Sequence, residues 1–387
     1  HALSCDDGTE VVIQDGEDGA TCTITNNGDG TSTINCSDGT EVTVDNQEPN
    51  SEGQILFGNY YVNNILDLEP LKDVEEITGD LHISIPGEAE DGAATFVVAL
   101  PALKRVGGIF SITNNSALSA LELNVHKIGG SFFLWDNPAL SALDLSALES
   151  IGGVLSVTRC NNLATLDLSA LKSTIDEVRF TDNNALLSLS LPELSSIGGK
   201  LEISHHEKLD SIDVPKLVHA PNDFSVFSNP ALSAIDFSSL ESIDNNDNDL
   251  FAGRLIFSQS SVQSFSFPKL ASISGNLSVS NHSAMTSFSF PLLEHVGNGM
   301  SITSNNVLSS FSLPLLTFVG TYTCYLGGCD DLTFEFKSNP LLPECIITNF
   351  ISQVQDGDGS GGIPTITGNK KNCTCSEVDG ETVADCP

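Results

Sequence analysis

The chain has 387 residues, 51 acidic and 15 basic, for a formal charge of −36. That charge argues against nucleic acid or an anionic membrane as partner, because both would be repelled, and favours cations, basic proteins or a saline setting. The length suffices for a large core, while no apolar run is long enough for a transmembrane segment.

Residues 1–50 read as a separate Cys-containing β-hairpin module. CDDGTEVVI from Cys5 and CSDGTEVTV from Cys36 are near copies. Between them, Thr23-Ile24-Thr25 and Thr33-Ile34 flank a turn at 26–30, the pattern of a hairpin that Cys22 and Cys36 would close. The module resembles those of secreted proteins of myxobacteria and their relatives, which implies a bacterial source. Residues 48–53 form a linker. The chain opens at His1 with neither Met nor an apolar leader, as expected of a mature form left after a secretory signal is removed.

A repeat array is expected over residues 51–342. Its clearest units are GGSFFLWDNPALSALDLSALESI from Gly129 and GGVLSVTRCNNLATLDLSALKSTI from Gly152, and versions recur from about Thr78 to about Asn339 every ~23 residues. Apolar residues alternate after the glycine pair, as in Phe132 and Leu134 or Leu155 and Val157, which is the period of a short strand with one face inward. A second alternation follows at Leu143/Leu145 and Leu166/Leu168. A third corner carries Leu148, Leu171 and Leu194, then Ile151, Ile175 and Ile197. No segment of the array keeps a helical period. The fold class expected is an all-β solenoid of about eleven coils, roughly 50 Å long at ~4.8 Å per coil. Such units become stable only by stacking on their neighbours.

Seven residues after the second glycine stand Asn115, Asn137, Asn183, Asn229 and Asn305, with Cys160, His206, Ser260 and His282 in the other coils. An inward Asn at a bend satisfies backbone groups that the turn leaves unpaired, so this column reads as a structural ladder. The same reading takes in Cys160 and His206.

The units at Ile128-Gly129-Gly130, Ile151-Gly152-Gly153 and Ile197-Gly198-Gly199, with the Asn and Leu positions that follow, resemble the receptor L-domain repeat of insulin- and EGF-receptor ectodomains. They also resemble arrays in fungal cell-wall proteins and secreted bacterial surface proteins. The resemblance covers about two-thirds of the chain. It implies a right-handed, receptor L-domain-like β-solenoid used for binding or architecture rather than catalysis. No kinase segment accompanies it, so it does not imply a signalling receptor.

Residues 343–387 read as a C-terminal cap. Pro343 stands at a helix start, and Ile347, Phe350, Ile351 and Val354 follow at helical spacing. A loop, one last strand at PTIT and a Cys-rich tail complete it. Nine of the ten cysteines lie outside the regular coils: Cys5, Cys22 and Cys36 at the start, Cys324, Cys329, Cys345, Cys373, Cys375 and Cys386 at the finish. Such clusters read as disulfide-stapled ends in an oxidising compartment. With Cys160 reduced the count is odd. Cys5 is then expected to bond either a C-terminal cysteine of its own chain or the Cys373–Cys386 tail of the next subunit in a head-to-tail polymer.

Three further candidates carry chemistry. Glu122, Asp144, Asp167, Asp213 and Asp236 form an outward acid column, one per coil, whose like charges should raise some of their pKa values or draw a cation or a basic partner. The column becomes Ser266, Ser289 and Ser312 later, which puts such an interaction surface in the first half. Asp244, Asp247 and Asp249 offer hard oxygen ligands suited to calcium, without the EF-hand register. A glycan-active enzyme would need paired carboxylates with a base or metal in a groove, and His205-His206-Glu207 lacks the spacing of a zinc protease. No other cofactor is implied. The function expected is a non-catalytic, secreted or cell-surface structural or adhesion protein. It would self-assemble into a filament or layer, or else bind a peptide or glycan along the array as a receptor-like module.

Overall fold

In the computed structural model the chain divides into two compact units, His1–Gln54 and Ile55–Pro387. Described are residues 53–86, 95–244, 253–320, 334–356, 364–378 and 381–386, together with the strand segments within 2–45 and 322–331. The first unit holds an antiparallel sheet of Cys22–Asn26, Thr31–Cys36 and Glu41–Asp45. Cys22 stands opposite Cys36 in its register, as the hairpin pattern requires. Cys5 lies outside the described residues.

The second unit is a β-solenoid of about eleven turns. A typical turn runs through Phe132–Trp135 on one face, Ala142–Asp144 on a second and Ser150–Ile151 on a third. Each strand pairs in parallel with its equivalent one turn on, Phe132 with Leu155, Leu143 with Leu166 and Ile128 with Ile151. The alternating Leu, Ile and Phe residues turn inward from all three faces and make one continuous core. Each fully buried side chain of this kind stabilises the fold by about 1.5–3 kcal/mol.

The first face is an unbroken sheet of thirteen strands, from Tyr60–Val62 to Thr365–Thr367. Tyr60–Val62 lies inside the expected array ahead of its first glycine pair, and the last strand expected at PTIT pairs with Phe334–Lys337, which carries this face beyond residue 342. The other two faces are interrupted. Near each end of the solenoid a helix takes the place of a second-face strand: a 3-10 helix at Ile65–Leu71 and an α-helix at Glu344–Gln353. Ile347 and Phe350 of the latter are buried, as its spacing predicts.

The glycine pairs have a steric cause. A Cβ on Gly152 would meet the carbonyl oxygen of Gly129 at 2.0 Å, and one on Gly198 would meet that of Ile175 at 1.8 Å. At these two positions the turn backbones stack too closely for a side chain. Ile175 corrects the sequence reading. Strand pairing sets Thr174, not Ile175, opposite Ile151, so Thr174 is buried while Ile175 takes the glycine position and is 71% exposed. Thr174 satisfies its hydroxyl by donating to the Asp176 carbonyl at 2.9 Å. In this coil the third-face sheet stops at Ser173–Thr174 and restarts only at His219–Pro221, with a single bridge between Ser173 and Ser196.

The C-terminal cysteines correct a second expectation. Cys345 bonds Cys375, tying the helix to the tail, and Cys373 bonds Cys386, closing the hairpin of Thr374–Val378 and Glu381–Asp385. All three tail cysteines are thus paired within the chain and leave no thiol for Cys5 of another subunit. Cys324 and Cys329 stand opposite each other in the strand pair Tyr322–Tyr325 and Gly328–Asp331. Cys160 is the free cysteine among the described residues.

Candidate functional site

The polar column of the core is the first candidate. Asn115, Asn137, Cys160, Asn183, His206, Asn229, Ser260, His282 and Asn305 are all buried, and Asn339 and Asn369 continue the column in two coils that the sequence reading left out. The residue before each one bends the chain. Ten non-glycine residues from Asn114 to Ser338 occupy this position with φ between 53° and 59°, and Gly368 serves in the last coil. This left-handed corner turns the backbone from the first face to the second. It leaves a peptide N–H and a carbonyl of the neighbouring coil facing inward.

Each Asn satisfies both. Asn183 accepts the Cys160 N–H at 2.9 Å and donates to the Val157 carbonyl at 2.9 Å. Asn229, Asn305 and Asn339 repeat this with His206, His282 and Asn305 as donors and Ile203, Val279 and Ile302 as acceptors. His206 imitates the amide. Its Nδ1 accepts the Asn183 N–H at 3.1 Å and its Nε2 donates to Phe180 O at 3.2 Å, so the ring is the neutral Nε2–H tautomer. Burial pushes the pKa values of His206 and His282 down to about 4. Cys160 is the weak member. Its thiol is a poor partner for Asn137, and burial pushes its pKa up to about 11. The Cys160 thiol is un-ionised and enclosed, and both ring nitrogens of His206 are bonded to backbone groups.

The acid column is the second candidate, and its acids do point outward. Three of them work on their own backbone. Asp144, Asp167 and Asp236 accept the N–H of Ser146, Ser169 and Ser238, two residues on, at 2.8, 2.9 and 2.8 Å, fixing the corner after the second-face strand. The Ser146 hydroxyl, and then its N–H, hold the Asp144 carboxyl below the usual carboxylate range, the reverse of the rise expected from stacked charges. The switch to serine has the same cause. Ser190, Ser266, Ser289 and Ser312 are each followed two residues on by proline, which has no N–H to offer a carboxylate. Asp213 also precedes a proline by two and accepts the Ser190 hydroxyl at 3.1 Å instead. Glu122 makes no such bond among the described residues.

Asp244 accepts the Ser242 hydroxyl at 2.6 Å, while Asp247 and Asp249 lie outside the described residues. Arg159 pairs with Asp136 at 2.8 Å and lies over the Trp135 ring at 4.6 Å.

A concavity runs over the later coils rather than the acid half. It is a groove of about 940 Å³ on the second face, bounded at Ile235–Phe237 and at the C-terminal helix by Asn349 and Gln353. Its floor is the sheet of Ser264–Ser266, Ser287–Ser289 and Ser310–Ser312. The triplicate SFS followed by an apolar residue and proline was the signal for it in the sequence. No family model, curated protein or solved structure matches the chain, so the β-solenoid rests on its own residues and pairing.

Proposed function

We propose that this protein is a secreted, non-catalytic β-solenoid that acts through surface contact as an adhesion or structural element. The observation that carries the reading is the use made of its polar columns. The Asn, His and Cys groups of the column serve the coil backbones, and three of the acids cap their own corners. What is left to the surroundings is faces. The resemblance to receptor L-domain repeats points the same way, and the two disulfides suit an oxidising, extracellular setting. Among the described residues no helix is long and apolar enough to cross a membrane.

Self-association is the form of contact we favour. Five large apolar residues near the N-terminal end of the array lie exposed: Ile55, Phe57, Tyr61, Ile65 and Leu66, with Phe57 at 81% and Leu66 at 78%. Such a group on so acidic a chain marks a contact surface. Electron microscopy of the native protein tests the reading, with multimers expected and isolated single particles at every concentration against it. Turnover of a glycan or peptide by the purified protein would overturn its non-catalytic part.

A further inference from the structure

We propose that the groove over the later coils binds the end of a neutral, linear glycan. This rests on the contact reading above and names one ligand for it. Strand pairing aligns Ser264, Ser287 and Ser310 in one row and Ser266, Ser289 and Ser312 in a second. The two rows flank Phe265, Phe288 and Phe311, whose rings stack beneath the floor at 5.6 and 5.7 Å. The hydroxyls recur every ~4.8 Å along the groove and ~6.6 Å across it. A sugar ring advances by about one such coil step and carries hydroxyls on both edges. An extended peptide advances ~3.3 Å per residue and falls out of step. A peptide adding as a strand could pair only at Ser264–Ser266 or Ser310–Ser312, the two edges of this three-stranded sheet, and there it would run across the groove rather than along it.

The hydroxyls are available. None of the six makes a side-chain hydrogen bond among the described residues, whereas serines just beyond the ladder are taken: Ser261 donates to Pro230 O at 2.5 Å and Ser309 to Thr286 O at 3.2 Å. Charge selects the ligand. Among the described residues Asp236 is the one ionisable group lining the groove, and its carboxylate already accepts the Ser238 N–H. Among the described lining residues an anionic polymer would meet no cation, on a chain of charge −36, and a cationic one would meet a single carboxylate. Neutral hydroxyls and the Asn349 amide suit a neutral polyol.

The helix sets where the chain stops. It takes the second-face place in the coil after Ser310–Ser312, so it closes the groove along the solenoid axis. Gln353 holds it by donating to the carbonyls of Leu313, Pro314 and Leu316 at 2.9, 3.2 and 3.1 Å, and Phe350 packs edge-on against Phe311 at 5.2 Å. From Asp236 to Ser312 the groove covers three coil steps, about 14 Å, which is room for about three sugar rings.

Titration calorimetry of the full chain with neutral β-linked glucose and mannose oligomers of two to six residues tests this. Saturable binding is expected that strengthens up to about three residues. It should weaken at least tenfold when Ser266, Ser289 and Ser312 are all changed to Val, and equally in Asn349→Trp, which fills the groove without touching the strands. Absence of binding by every neutral oligomer overturns the proposal, as does affinity unchanged in both variants. Tighter binding of a peptide in the same groove would also overturn it. None of these outcomes alters the test of self-association.

Discussion

At the residue scale, the ladder makes the firmest predictions. Asn137→Ala removes a donor to Ile112 O and an acceptor for the Asn115 amide, leaving buried groups unpaired at a cost of about 1–3 kcal/mol. Asn183→Ala should cost the same, and denaturant melts that match the parent at both sites would mean the column is packing alone. Cys160→Asn is expected to do the opposite. Other coils hold an Asn in the same place, so it should gain the two bonds that the thiol makes poorly and raise the melting temperature. The histidines set a pH dependence. They are neutral when folded down to about 4, whereas an unfolded histidine protonates below about 6.5. The unfolded state therefore binds more protons in that window, and stability falls with pH from about 6.5 to about 4. The loss should reach about 3 kcal/mol per histidine. Melts of His206→Asn with His282→Asn across this range should be flatter than the parent's; an identical slope would place the loss elsewhere.

At the scale of the element, the acid column separates charge from capping. Asp144→Asn keeps an oxygen to accept the Ser146 N–H and removes the charge, so it should be neutral or slightly stabilising, whereas Asp144→Ala should cost about 1 kcal/mol. If both variants gain stability equally, the carboxylate repels and does not cap. The repeat period, the two alternations and the ladder up to Asn305 were legible because one residue per coil does one job in each. Ile175 was misread because Lys172–Asp176 offers an apolar residue one place late, and only pairing with Ile151 shows that Thr174 turns inward. Asn339 and Asn369 escaped notice because residues 321–333 and 357–363 interrupt the spacing that would have aligned them. The groove was hidden for another reason. It needs the helix at Glu344–Gln353 to stand beside strands far earlier in the chain, and periodicity within a coil says nothing of that.

At the scale of the whole molecule, a solenoid with its polar groups committed inward has its ends and faces left for contact. The C-terminal end is tied by Cys345–Cys375 and Cys373–Cys386, so any association through that end is non-covalent in its tail cysteines. The opposite end carries Phe57 and Leu66 in the open. Sedimentation of the native protein over a hundredfold range of concentration tests this account most directly. Multimers that grow with concentration, survive thiol treatment and are dispersed by Phe57→Asp with Leu66→Asp are the expected result. A strict monomer across the whole range, with the parent and the double variant sedimenting alike, would contradict it.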